Sequence, residues 1–402
     1  MDTMQSIRMV SGEAPEKSEY ERITRTRISY WKTIALLVLG FVILAVFLLS
    51  VDVEGVAGVL SKTNPVIYSL AFISVSVGIL FYALAWSALL NSFGNPPNFL
   101  AANSMTLASI FINFLVPTGS VGGEVARAYL LAENSDIEFS KGIATVLAHR
   151  IIAILPFTLC AVLGLAGLLI TNPVYIPTSW AVIAWGAASG SFALLGVVAY
   201  FLYNFEKAKK TFLWVIDALT KIVRKQDWKE NLKVRREKAV EAFNSFEAAI
   251  KVMAGNKSNL VKSVLYAFVS WFFDALVALF VFQALNHPVD IWIIFVVYAI
   301  GMIVQLFPLG IPGSIGVSEG VMCVLYASAG VPSETALSAA LLIRIPMYWF
   351  LLLLGAIATF RLVHGIPQAR CKDNLTASVN LFQKKERAPP KVPSSSSFSL
   401  QP

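Results

Sequence analysis

Twenty-five consecutive residues, Val66 to Leu90, carry no charged side chain. A helix of that length rises about 1.5 Å per residue and reaches across the roughly 30 Å hydrocarbon core of a bilayer. Long apolar blocks also run over Tyr30–Ser50, Ser140–Ile170, Ser179–Tyr203, Leu260–Leu285 and Thr335–Leu362. Of the 402 residues, 57% are hydrophobic and 14% charged. A soluble domain carries about 25% charged residues and must keep much of its surface solvated. A soluble fold and a disordered chain are both excluded. The fold class expected is an all-α polytopic membrane protein.

Residues 1–29 form a polar tail without the short apolar core and cleavage site of a signal peptide. Residues 30–203 make a first membrane half and residues 260–362 a second. Between them, residues 204–259 hold thirteen Lys/Arg and seven Asp/Glu. Phe212, Val215, Ile216 and Leu219, then Phe243, Phe246, Ile250 and Met253, recur there at helical spacing. This predicts a basic amphipathic helical hairpin turning near Gln226-Asp227. Such a hairpin either rests on anionic headgroups or covers the membrane domain. Residues 363–402 end in Pro- and Ser-rich sequence and are expected to be disordered.

Charge sets the expected topology. The net charge is +8, and its basic residues concentrate in both tails and in 204–259. The loops near 51–65, 171–178 and 286–290 are nearly free of them. Basic loops of a membrane protein mark the cytoplasmic side, so no nucleic-acid partner is implied. Both termini and the central hairpin are placed in the cytoplasm, at the cell membrane. Each half then needs an even number of crossings. About six full spans result, plus two broken hairpins, 102–131 and 291–329, each returning to the side it entered as a re-entrant element or a pair of tilted spans.

The two broken regions read alike. The first runs Phe114-Leu-Val-Pro117-Thr-Gly119-Ser-Val-Gly122-Gly123-Glu124. The second runs Leu306-Phe-Pro308-Leu-Gly310-Ile-Pro-Gly313-Ser-Ile-Gly316-Val-Ser-Glu319. Arg150 follows Glu124 by 26 residues, and Arg344 follows Glu319 by 25. Leu147-Ala-His-Arg150-Ile matches Leu341-Leu-Ile-Arg344-Ile, and Ala88-Leu-Leu-Asn91 resembles Gln283-Ala-Leu-Asn286. The ordered set points to an internal repeat, and the parity of crossings makes its copies inverted. Inverted repeats with Gly/Pro-broken segments at corresponding places point to a transport site near the bilayer midplane.

An ionisable residue at membrane depth costs about 2.5–3.5 kcal/mol on insertion scales, so each needs a partner or a task. The inventory is Glu124, Arg127, His149, Arg150, Asp274, Glu319 and Arg344. Arg150 and Arg344 lie about 15 Å deep from opposite faces if their blocks start at the surface. A site for an anion follows: the two arginines offer planar donors, and the Gly-rich breaks at Gly119, Gly122, Gly123, Gly313 and Gly316 offer backbone N–H groups. Glu124 and Glu319 would hold the arginines or take protons. The structural alternative is that Glu124–Arg150 and Glu319–Arg344 pin each hairpin to its neighbour. Arg127, near the cytoplasmic mouth, is either a site residue or an interfacial charge. His149, Asp274, Asn113 and Gln305 are further candidates. No metal, nucleotide or hydrolase motif occurs, and Cys160, Cys323 and Cys371 form no ligand pattern, so no cofactor and no enzyme activity are expected.

The pattern Asn113-x-x-x-Pro117-x-Gly119-x-x-Gly122-Gly123-Glu124-x-x-Arg127, the helix from Ser140 to Arg150, and Pro312-Gly313-Ser-x-Gly316-x-x-Glu319 resemble the transmembrane flippase region of lysylphosphatidylglycerol synthases. The resemblance covers roughly residues 30–362. It implies translocation between leaflets of a lipid with a polar headgroup. Related membrane regions occur alone or fused to polyprenyl-phosphate-linked glycosyltransferases. The soluble aminoacyl-transfer domain of full-length synthases has no counterpart in these 402 residues. The expected function is a flippase-like transporter for a phospholipid or polyprenyl-phosphate-linked lipid, with the headgroup phosphate at the arginines. The alternatives are a non-transporting partner of a lipid-linked glycosyltransferase or synthase, and a membrane enzyme using Glu124 and Glu319 as acid and base.

Overall fold

The computed structural model describes residues 53–116, 121–171, 226–306 and 311–365, with helical positions scattered between 182 and 214. The block Tyr30–Ser50, both tails, Gly119 and the predicted helix around Val215–Leu219 lie outside the described residues. Every regular element described is helical, and no strand occurs among them.

The helices are α1 (Val53–Ser61), α2 (Pro65–Leu90), α3 (Phe99–Leu115), α4 (Val121–Asn134) and α5 (Phe139–Thr171), then α6 (Gln226–Gly255), α7 (Lys257–Ala284), α8 (Ile291–Leu306), α9 (Val317–Ser328), α10 (Ser333–Arg344) and α11 (Leu351–Gly365). A short 3-10 turn, Pro312–Ser314, precedes α9, and a π-helical turn, Ile345–Phe350, joins α10 to α11. Among the described residues, four runs are long and apolar enough to cross a membrane: α2, α5, α7 and Ser333–Leu362. Helix α3, at 17 residues, reaches about 25 Å, short of a full crossing.

Local chemistry sets several boundaries. The Asn64 side chain accepts the N–H groups of Val66 and Ile67, with Pro65 at the first helical position. Asn98 and Asn256 cap α3 and α7 in the same manner. These side chains satisfy orphan donors that would otherwise be exposed at the helix start. Pro346 has no N–H to continue the ladder, and the helix widens into the π turn immediately after Arg344. Helix α1 departs from the sequence reading, which placed a loop over 51–65. Val56 is buried there and α1 packs on α10. Nine residues are too short to register as a span.

Among the described residues, α2 and α7 form the largest contact, between the two halves. Each broken hairpin also packs within its own half, α3 on α4 and α9 on α10, and two further large contacts cross between the halves. The last helix, α11, packs on α3, and α5 packs on α8. Small residues allow both approaches. A Cβ at Gly355 would lie 2.7 Å from the Leu107 carbonyl on α3, and one at Gly167 would enter the Trp292 ring on α8. Close backbone approach through small residues is the usual basis of helix association in lipid. The main apolar core lies between the halves and includes Val75, Val281, Phe282, Ile294 and Leu337.

Candidate functional site

Each broken hairpin presents a glutamate on the first turn of its second helix. Glu124 sits on α4 and Glu319 on α9. Each meets an arginine from the following long helix with the same pair of atoms. Arg150 Nε donates to Glu124 Oε1 at 2.8 Å, and Arg344 Nε donates to Glu319 Oε1 at 2.8 Å. Arg150 adds a second contact to the same oxygen through a terminal nitrogen at 2.7 Å. The structure thus brings together both pairs that the sequence spacing suggested.

Around Glu124 a second arginine completes the cluster among the described residues. Arg127 donates to Glu124 Oε2 at 2.6 Å. Its guanidinium lies over the Trp86 indole, 4.7 Å from the ring centre. It also approaches His149 Nδ1 at 3.4 Å. Arg127 is 1% exposed, because α4 turns that face into α2 and α5. His149 is wholly buried against Tyr82, and its Nε2 has no hydrogen-bond partner among the described residues. Glu124, Arg127 and Arg150 together carry a formal charge of +1. The Arg150 side chain keeps 32% of its surface exposed.

Around Glu319 the remaining partners are backbone. Glu319 Oε2 accepts the Gly316 N–H at 2.7 Å. Arg344 donates to the Gly313 carbonyl at 2.6 Å and lies 4.4 Å from the Tyr348 ring centre. Gly313 has φ +59° and Gly316 φ +81°, a conformation that glycine adopts without steric cost. A Cβ on Gly313 would also run into the Tyr348 ring. The Arg344 and Glu319 side chains are 9% and 6% exposed. This pair is neutral and closed.

The other sequence candidates fall outside these two clusters. Asn113 Oδ1 accepts the Gly123 N–H at 2.7 Å, tying α3 to α4 where a Cβ on Gly123 would overlap the Ser109 carbonyl. Gly122 is the second residue of α4. Gln305 belongs to the last turn of α8, and its side chain lies outside the described residues. Asp274, on α7, accepts from the Tyr298 hydroxyl at 3.3 Å and lines a cavity of about 90 Å³ together with Arg344. Sequence reasoning missed Tyr298, Tyr348, Trp86 and Ser318. Aromatic residues in apolar helices give no sign of which face they occupy. Among the described residues no cluster of His, Cys, Asp and Glu is arranged to hold a metal.

Residues 33–355 match the sequence profile of the lysylphosphatidylglycerol synthase transmembrane region. The chain belongs to this family. With its apolar helices, membership makes the protein a multi-pass membrane protein. Its relatives include a UPF0104 membrane protein of Methanothermobacter thermautotrophicus, 26% identical over 328 residues, covering 80% of this chain and 93% of the relative. A UPF0104 membrane protein of Pyrococcus horikoshii is 24% identical, covering 82% and 97%. One of Methanocaldococcus jannaschii is 21% identical, covering 86% and 99%. The family match spans both hairpins and both Glu–Arg pairs.

Proposed function

We propose that the protein is a flippase-like transporter moving a phosphate-bearing lipid, either a phospholipid or a polyprenyl-phosphate-linked lipid, between membrane leaflets. The observation that carries this reading is the pair of Glu–Arg clasps, one open with surplus positive charge and one closed. Arginine offers planar donors that match phosphate oxygens, and charge-assisted contacts of this kind are strong away from water. The headgroup phosphate engages Arg150 in the open cluster, while acyl or prenyl tails stay in hydrocarbon. No covalent bond is made or broken.

The inverted repeat, with about six full spans and both termini in the cytoplasm, is part of the same proposal. The exchanged packing of α3 on α11 and α5 on α8 supports it, as does the shared atom pairing of the two clasps. In an inverted repeat each half adopts in turn the conformation of the other. The second state therefore opens Arg344 and encloses Arg150, and the headgroup passes between them.

Reconstitution tests the reading. Vesicles containing the purified protein and a fluorescent phosphatidylglycerol or polyprenyl phosphate should expose inner-leaflet label to an impermeant reductant faster than empty vesicles. Equal rates with both probes would contradict it. Equal rates together with tight co-purification of a lipid-linked glycosyltransferase would replace the transporter by a membrane partner.

A further inference from the structure

The cavity holding Arg344 has a second ionisable wall that the clasps do not use. Asp274 on α7 lines it, with Ser318 of α9 and Phe114 of α3 closing other sides. The space has room for several waters. Ser318 is 5% exposed and its Oγ has no partner among the described residues. Asp274 accepts a hydrogen bond from Tyr298, and Arg344 is committed to Glu319 and the Gly313 carbonyl. A Cβ at Gly78 would sit 2.6 Å from Asp274 Oδ1, so the bare glycine on α2 gives the carboxyl its place.

The groups facing Asp274 are few. From α8 there is Tyr298, itself beside Cys160 of α5. Across the cavity stand Arg344 of α10, with Tyr348 of the π turn beneath it, and Tyr326 of α9. Helix α2 contributes Gly78, with Tyr82 one turn along. Helix α6 meets the first turns of α7 around Ala267, away from Asp274. In the first half, the register that aligns Asn91 with Asn286, an offset of 195, places Ile79 opposite Asp274. The architecture of a half is therefore built without this carboxyl, which points to a task peculiar to the second.

We propose that Asp274 is a proton-binding site coupled to anion binding at Arg344. This deepens the transport reading above and rests on it. Asp274 and Arg344 line the same cavity. An anionic headgroup taking up Arg344 adds a like charge to the space that Asp274 shares. The Asp274 carboxylate then accepts one proton from the aqueous phase, and headgroup and proton move together. Isolated intramembrane carboxyls serve as proton carriers in pumps and transporters for this reason. By linkage, anion affinity falls as pH rises through the titration of Asp274, by up to about tenfold per pH unit.

The test uses the full chain in weakly buffered detergent with dioctanoyl phosphatidylglycerol, whose phosphodiester stays anionic throughout, so that any proton taken up belongs to the protein. Binding should be accompanied by uptake of up to one proton per lipid. Asp274→Asn should bind without uptake and without pH dependence. Uptake with the deacylated headgroup glycerophosphoglycerol as strong as with the lipid would support the coupling and name a soluble phosphodiester as ligand. Equal uptake by wild type and Asp274→Asn, or wild-type binding with no uptake, would overturn the coupling and leave the anion site standing. Binding undiminished in Arg344→Gln would overturn the Arg344 site and the coupling with it. A readout without ligand covers a probe that fails to bind: on acidification the infrared carbonyl band of a protonated carboxyl should appear in wild type and be missing in Asp274→Asn. Its absence in wild type at every pH from mildly acidic to mildly alkaline would overturn the proposal.

Discussion

Glu124 accepts from two arginine side chains, whereas Glu319 accepts from one arginine and one backbone N–H. The central bond is the same in both hairpins, yet the first cluster has formal charge +1 with Arg150 partly open, and the second is neutral with Arg344 enclosed. Among the described residues, the difference lies in the extra partner that each pair takes. In the second hairpin, Gly313 and Gly316 at positive φ turn a carbonyl and an N–H toward the pair. In the first, Arg127 supplies the extra partner from one turn along α4. In this state the second clasp fastens and encloses its arginine, whereas the first leaves Arg150 partly exposed with surplus charge to offer an anion.

Four substitutions bear on this contrast, in order of expected effect. Arg344→Gln leaves the Glu319 carboxylate buried with only the Gly316 N–H. Breaking a buried pair from one side costs about 3–5 kcal/mol, and denaturant unfolding in bicelles should register a loss of that order. A loss under about 1 kcal/mol would show that the second clasp is not a fastening. Gly313→Ala combines a positive φ with overlap onto Tyr348, and overpacking costs about 1–3 kcal/mol. Gly123→Ala, which meets the Ser109 carbonyl, should fall in a similar range of about 1–3 kcal/mol. It should also loosen α3 from α4, read as faster amide exchange near Gly123. Arg150→Gln should change stability least, by about 1 kcal/mol or less, because Arg127 still neutralises Glu124. A destabilisation as large as that of Arg344→Gln would erase the distinction between the clusters.

Much of this was legible in the sequence, for stated reasons. Uninterrupted apolar runs fix helical spans such as α2 and α7, since the backbone must satisfy its own hydrogen bonds in lipid. The spacing of Glu124 to Arg150 and of Glu319 to Arg344 foretold two pairs because helices have a fixed rise. Helix α1 was not legible: Glu54, Gly55 and Gly58 interrupt its apolar pattern. The burial of Arg127 against Trp86 and His149 was not legible because sequence position does not say which way α4 faces. The asymmetry between the clasps was invisible for a similar reason. It depends on where Gly313 O, Gly316 N–H and Tyr348 point, and on the π turn that Pro346 introduces after Arg344. The meeting of Asp274 with Gly78 and Tyr298 joins three helices whose order in sequence gives no contact information.

The central claim is that Arg150 meets the lipid phosphate while its loss leaves the fold intact. The direct measurement is the translocation rate of fluorescent phosphatidylglycerol in proteoliposomes of wild type, Arg150→Gln and Arg150→Lys, each first shown to unfold at the wild-type denaturant midpoint. The account predicts that Arg150→Gln loses tenfold or more of the protein-dependent rate, about 1.4 kcal/mol of lost interaction or greater, with partial recovery in Arg150→Lys. An Arg150→Gln protein that moves lipid at the wild-type rate would contradict it.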